Sequence, residues 1–175
     1  MKRAVLLLTL IASGVAAQTR HDSTAPIDFG ADTIELQDRA NRAVLSGNVA
    51  VRQAEMTLNA ARMTVNYTGQ VVGGSPQVSR LDAAGGVTVK RPAQTARSQY
   101  AVYDLNRRVI TMVGGVSLTQ AGNTVNGGRL TINLDTGRAV IDGSSVRGGG
   151  NAPAGTTTTA PSGRVTGTFS VPKRN

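Results

Sequence analysis

The sequence predicts an all-β chain, a stack of antiparallel strands built from repeats. Three observations carry that expectation. A pentad recurs as Gly47-Asn48-Val49-Ala50-Val51, Gly85-Gly86-Val87-Thr88-Val89 and Gly114-Gly115-Val116-Ser117-Leu118, with a fainter copy at Gly143. Period-2 segments, Met63/Val65/Tyr67, Ala101/Tyr103/Leu105 and Leu130/Ile132/Leu134, begin 16 residues after each leading glycine. Alternation over short segments broken by Gly and Asn is the mark of strands with one apolar face, and no helical period follows the N-terminal segment. Composition agrees: Val (20) outnumbers Leu (12), and aromatic residues are only 3% of the chain.

Taken in chain order, 1–17 reads as a cleaved secretory leader. Lys2 and Arg3 precede an apolar run, and Gly14-Val15-Ala16-Ala17 offers small residues for cleavage before Gln18. The apolar run is about half of the ~20 residues that a spanning helix needs. Residues 18–27 read as a flexible segment that leaves His21 a bystander. A half-unit with Ile34 and Leu36 opens the array, and the β domain covers 28–147. The leading glycines lie 38 and 29 residues apart, and residues 69–79 account for the difference as a surface loop insertion. Asp38, Asp104 and Asp135 open similar turns, where a carboxylate accepts backbone N–H groups. Residues 148–163 read as a disordered linker of Gly, Thr, Ala and Pro. The last segment, 164–175, is basic, and its alternating Val165, Gly167, Phe169 and Val171 fit either an edge strand or a solvated tail.

Since each repeat has one apolar face that it cannot bury alone, successive repeats must wrap around a shared interior. The period-2 sets place Ile34, Leu36, Val49, Val51, Met63, Val65, Val87, Val89, Val116, Leu118, Leu130 and Ile132 on that interior face. The first strand, around Ile34 and Leu36, and the last, around Val140 and Ile141, have no sequence partner beyond them. They are the expected assembly edges.

The composition narrows the chemistry. There is no Cys and one His, and neither GxxxxGK[ST], HExxH nor GxSxG occurs, so disulfides, thiolate metal sites and nearly every His-based triad are excluded. Asp32 and Glu35 are the one near pair of acids in a strand, and alternation sets them on opposite faces. The expectation is a non-enzyme with no cofactor and no metal. The net charge is +9, and 17 basic against 10 acidic residues remain once 1–17 is removed. For an exported chain, such a charge points away from nucleic acid and toward phosphorylated lipid, glycan or a membrane surface. Most of the 16 Arg read as keeping exposed strand edges soluble, and phosphate contact stays open for Arg62, Arg97 and Arg129 near the repeat strands.

The succession Ala31-Asp32-Thr33-Ile34-Glu35-Leu36, then Val44-Leu45-Ser46-Gly47-Asn48-Val49, then Met56 to Tyr67 resembles the LptA/OstA-like family. Members of that family bridge the periplasm in lipopolysaccharide transport. The similarity runs from about Pro26 to Asp142. It implies an open, slightly twisted β-jellyroll whose apolar trough shelters the acyl chains of the lipid A part. It further implies fold-sharing inner-membrane and outer-membrane partners, head-to-tail homo-oligomers and a periplasmic location. The family often has an acid at the position of Asp32 in every repeat, where this chain has Ala61, Gln99 and Gly128. Two other readings fit the residues: an inner-membrane-anchored member of the same pathway, and a secreted structural β-repeat protein that binds glycan or protein.

Overall fold

The computed structural model describes residues 21–69, 74–143 and 166–168, and the expected leader (1–17) and linker (148–163) lie outside them. Ten strands follow one another: β1 (Ile27–Gly30), β2 (Thr33–Gln37), β3 (Arg42–Gln53), β4 (Met56–Thr68), β5 (Gln77–Arg91), β6 (Gln94–Asp104), β7 (Val109–Gln120), β8 (Asn123–Asn133), β9 (Ala139–Asp142) and β10 (Thr166–Thr168). All pairings are antiparallel, and β3 to β8 pair in sequence order. The expected all-β, open, antiparallel architecture is what forms.

The leading glycines of the repeats fall in the middle of long strands, where the sequence suggested turns. At each one the ladder slips by a residue: Gly47 and Asn48 stand opposite Ala61, Gly85 and Gly86 opposite Gln99, and Gly114 and Gly115 opposite Gly128. A two-against-one bulge bends a strand without ending its pairing. Both residues of each bulge have positive φ, for example +84° and +66° at Gly85 and Gly86. A Cβ on Gly85 would meet the Ala61 side chain at 2.8 Å, so the first position also needs glycine for space.

Bent at the bulges, the six long strands form two arms. The first arm holds Val49–Gln53 of β3 and its counterparts, with β1 on one edge and β10 on the other. The second holds Arg42–Ser46 and its counterparts, edged by β2 and β9. Their inner faces share one core that includes Val51, Leu58 and Val89 of the first arm and Leu45, Met63, Leu81 and Ile110 of the second. At the arm tips Tyr103 Oη on β6 donates to Gln53 Oε1 on β3 at 2.7 Å. Contact between β3 of one arm and β6 of the other means that the arms cross, as the twist of strands requires.

The bulge makes a prediction. Gly85→Ala is expected to cost about 1–3 kcal/mol through strain and contact with Ala61. Gly86→Ala, which has nothing within 4 Å of the added carbon, should cost only the left-handed backbone penalty of about 1–2 kcal/mol. Urea denaturation should therefore show the larger loss for Gly85→Ala.

Candidate functional site: an apolar interior with two mouths

Register turns the strand alternation into rows that run across the sheet. On the first arm one row reads Phe29, Val51, Leu58, Val89, Ala96, Leu118. On the second, two rows read Ile34, Leu45, Met63, Ala83, Ala101, Met112, Leu130, Ile141 and Leu36, Ala43, Val65, Leu81, Tyr103, Ile110, Ile132, Ala139. Directly paired residues project to one face, so each row is a continuous apolar stripe.

Of the twelve residues expected inside, Val49, Val51, Met63, Val65, Val87, Val89, Val116, Leu118, Leu130 and Ile132 are buried. Ile34 and Leu36 differ from these ten in exposure and not in face. They share the inner face with Leu45 and Ala43 but are 45% and 57% exposed. Because the arms cross, the β2 end of the second arm projects past the first, and no described residue covers it. Phe29, at the start of the first-arm row on the edge strand β1, is 45% exposed. At the other edge Val140 pairs with Thr131 and turns outward, while Ile141 pairs with Leu130 and packs against the core. β2 and β9 are the outermost strands of the second arm.

Two cavities open at the tips. The first, about 710 Å³, lies at the β2 end and is lined by Ile27, Phe29, Leu36, Ala43, Val65, Tyr67, Val78 and Leu105, with Gln53 and Arg108 among its polar groups. The second, about 590 Å³, lies between the β5–β6 turn and the β8–β9 turn and includes Leu118. Both fall within the ~300–1,000 Å³ typical of ligand sites. Arg62 and Arg97 point to the outer face and are exposed, and Arg129 is half-buried on that same face. None of the three reaches the interior.

A polar hub closes the tips. Gln53 Nε2 donates to the carbonyl oxygens of Ser23 (3.0 Å) and Ala25 (3.1 Å), and Ser23 Oγ donates to Asp135 Oδ1 at 3.0 Å. Asp135 also pairs with Arg108 at 3.3 Å. Burial pushes the Tyr103 phenol up to about 12, with the Gln53 contact opposing it, so the phenol remains a donor at neutral pH. Residues 21–26 therefore cross the mouth, where 18–27 was expected to be flexible. His21, expected to be a bystander, is 9% exposed beside Gln53 Oε1 at 3.4 Å. Sequence periodicity could not reveal this, because Gln53 and Tyr103 are 50 residues apart and meet only when the arms fold together.

The LptA/(LptD N-terminal domain) LPS transport protein family matches residues 29–138, well over half of the chain. The chain belongs to this family. Protein R00383 of Rhizobium meliloti (strain 1021), itself described as uncharacterized, is 31% identical over 146 residues, which is 77% of this chain and 78% of the relative. Among solved structures the fold is similar to that of LptH, the LptA-homologous periplasmic component of the lipopolysaccharide transport device of Pseudomonas aeruginosa. The TM-score is 0.67 at 18% identity, covering 86% of this chain and 99% of that one. The family's β-jellyroll is the architecture seen here. The acid position that the resemblance singled out also has a structural meaning: Asp32, Ala61 and Gln99 are the residues against which Gly47, Gly85 and Gly114 pack. At Asp32 the carboxylate accepts from Asn48 Nδ2 at 2.9 Å, so its role in this chain is to brace the first bulge.

The hub responds to acid. Burial holds His21 below its ordinary value of 6.5, and the Arg91 charge pushes the same way, while Gln53, Asp22 and Glu55 oppose. A depressed folded-state value stabilises the fold above the unfolded value, and that contribution is lost as pH falls below about 6.5 toward the folded value. Between about pH 7.5 and about pH 5.5 the wild type should lose urea resistance that a His21→Gln variant retains.

Proposed function

We propose that this protein is exported to the periplasm, loses its leader there, and carries lipopolysaccharide from the inner to the outer membrane without acting as an enzyme. Acyl chains lie against the inner rows of the two arms, and the phosphorylated headgroup stays in water. The observation that supports this best is the uncovered end of the rows. Phe29, Ile34 and Leu36 extend the buried apolar stripes into the open beside the first cavity. At ~0.8 kcal/mol per CH₂, one twelve-carbon chain gains roughly 10 kcal/mol by leaving water. That is reason enough for a multi-chain lipid to need such a surface. The filled core implies that deeper access requires the arms to part, starting at the Gln53 hub.

Site-specific photo-crosslinking in the native envelope tests this reading. A crosslinker at Leu36, Val65 or Leu118 is expected to capture lipopolysaccharide, and one at Asn66 or Ser117, on the outer face, is not. Equal capture on both faces would refute the trough. Capture of glycan or protein alone would instead favour a structural β-repeat protein.

For assembly, β2 and β9 of successive copies, or of fold-sharing membrane partners, join head to tail by pairing edge to edge. β10 covers the first-arm half of the β8 edge, so joining through β9 uses the second arm. Ile141→Pro removes a backbone donor and bends β9. It is expected to abolish concentration-dependent oligomers in light scattering while circular dichroism stays that of the folded monomer. Unchanged oligomers in a folded variant would eliminate this edge.

A further inference from the structure

We infer that the second cavity is a headgroup site for an anionic amphiphile, a phosphate monoester carried on an apolar chain. The inference rests on the proposed sheltering of acyl chains between the arms and adds a place for the charge. It begins from a change of chemistry along the inner face of the first arm. Inward from the tip the face is apolar, with Val89, Ala96 and Leu118 side by side. One step further out, in the same register, stand Arg91, Gln94 and Gln120. The two-residue Pro92–Ala93 turn sets Arg91 directly opposite Gln94, and Gln94 pairs with Gln120. The apolar interior therefore ends in a polar rim with one cation in it, which matches the plan of an amphiphile.

The rim is incomplete by itself. The salt bridges among the described residues are Arg80–Asp82 and Arg108–Asp135, and Arg91 takes part in neither and makes no hydrogen bond to a described residue. It is nevertheless half-buried, and burial lowers its pKa with no opposing acid. A guanidinium held partly out of water without a counter-charge is stabilised by an anion, and its planar fork suits two phosphate oxygens. Gln94 Nε2 donates to Gln120 Oε1 at 3.2 Å, which leaves Gln94 Oε1 buried without a donor. A protonated phosphate oxygen or a sugar hydroxyl would supply one. Among the described residues Asp135 is the one carboxylate in the lining, and Arg108 and Ser23 already hold it. Leu118, Leu134 and Ala139 line the same cavity and offer the apolar chain a wall.

The test is titration of the intact purified protein, below the micelle threshold, with dodecyl phosphate, dodecyl maltoside and inorganic phosphate. NMR follows the side-chain amides of Gln94 and Gln120 and the methyls of Ile34 and Leu36. Dodecyl phosphate should shift both amides and bind at least about ten-fold more tightly than the neutral amphiphile. Arg91→Gln should remove that advantage, and Arg91→Lys should keep part of it. Equal affinity for the two headgroups, or an advantage that survives Arg91→Gln, overturns the site. Inorganic phosphate binding as tightly as dodecyl phosphate, and depending on Arg91, overturns the amphiphile in favour of a free anion. If Arg91→Gln fails to fold, Gln94→Glu tests the same point, because its carboxylate would take the guanidinium and abolish the phosphate preference. The methyls report on the other reading. Their silence toward both amphiphiles would count against chain sheltering, while the amides continue to judge the headgroup site.

Discussion

Everything in this molecule depends on one local device, a pair of left-handed residues inserted in the middle of alternate long strands. Gly47-Asn48, Gly85-Gly86 and Gly114-Gly115 each stand opposite a single residue. Each pair bends its strand and lets both halves keep their ladders. Without the bend, a sheet of strands 11 to 15 residues long would present one apolar face with nothing to cover it. With it, the sheet covers itself. The bulges must also lie in line across neighbouring strands, or the fold axis would break. Their common position within the repeat provides that alignment.

Among the described residues self-coverage is incomplete, and the incomplete part is where function is expected. Twisted arms cross, so each projects beyond the other at one end. At the β2 end this uncovers Ile34 and Leu36; at the other end it leaves a cavity between the Pro92–Ala93 turn and the β8–β9 turn. The inner rows run continuously from uncovered to covered positions. A guest can thus begin on an exposed surface and continue inward only by separating groups already packed together. Under the proposed function, such an arrangement would link loading to motion of the arms.

The tips show what resists that motion. Gln53 accepts from Tyr103 of the opposite arm and donates to two carbonyl groups of the segment ahead of β1. Ser23 and Arg108 both meet Asp135. These are a few hydrogen bonds, each with a net worth of about 0.5–1.5 kcal/mol. They are small compared with the burial of the core, and suited to opening at the mouth while the rows behind stay packed.

The sequence alone determined the strand class, the repeat, the parity of the buried set from Val49 to Ile132, and a resemblance to a lipopolysaccharide-transport family. Those properties are local, since side-chain alternation and turn-permitting residues act over a few positions. It also determined that Ile34 and Leu36 belong to the inner face. Only the tertiary structure decided that this face is bare there, because coverage depends on where the opposite arm lies, and the twist summed over several strands sets that position. For the same reason the glycines turned out to be bends inside strands and not ends of strands, and His21 became part of a buried hub. The Arg91, Gln94 and Gln120 rim was equally hidden, since neither polarity nor spacing tells which side of a bent sheet faces the other.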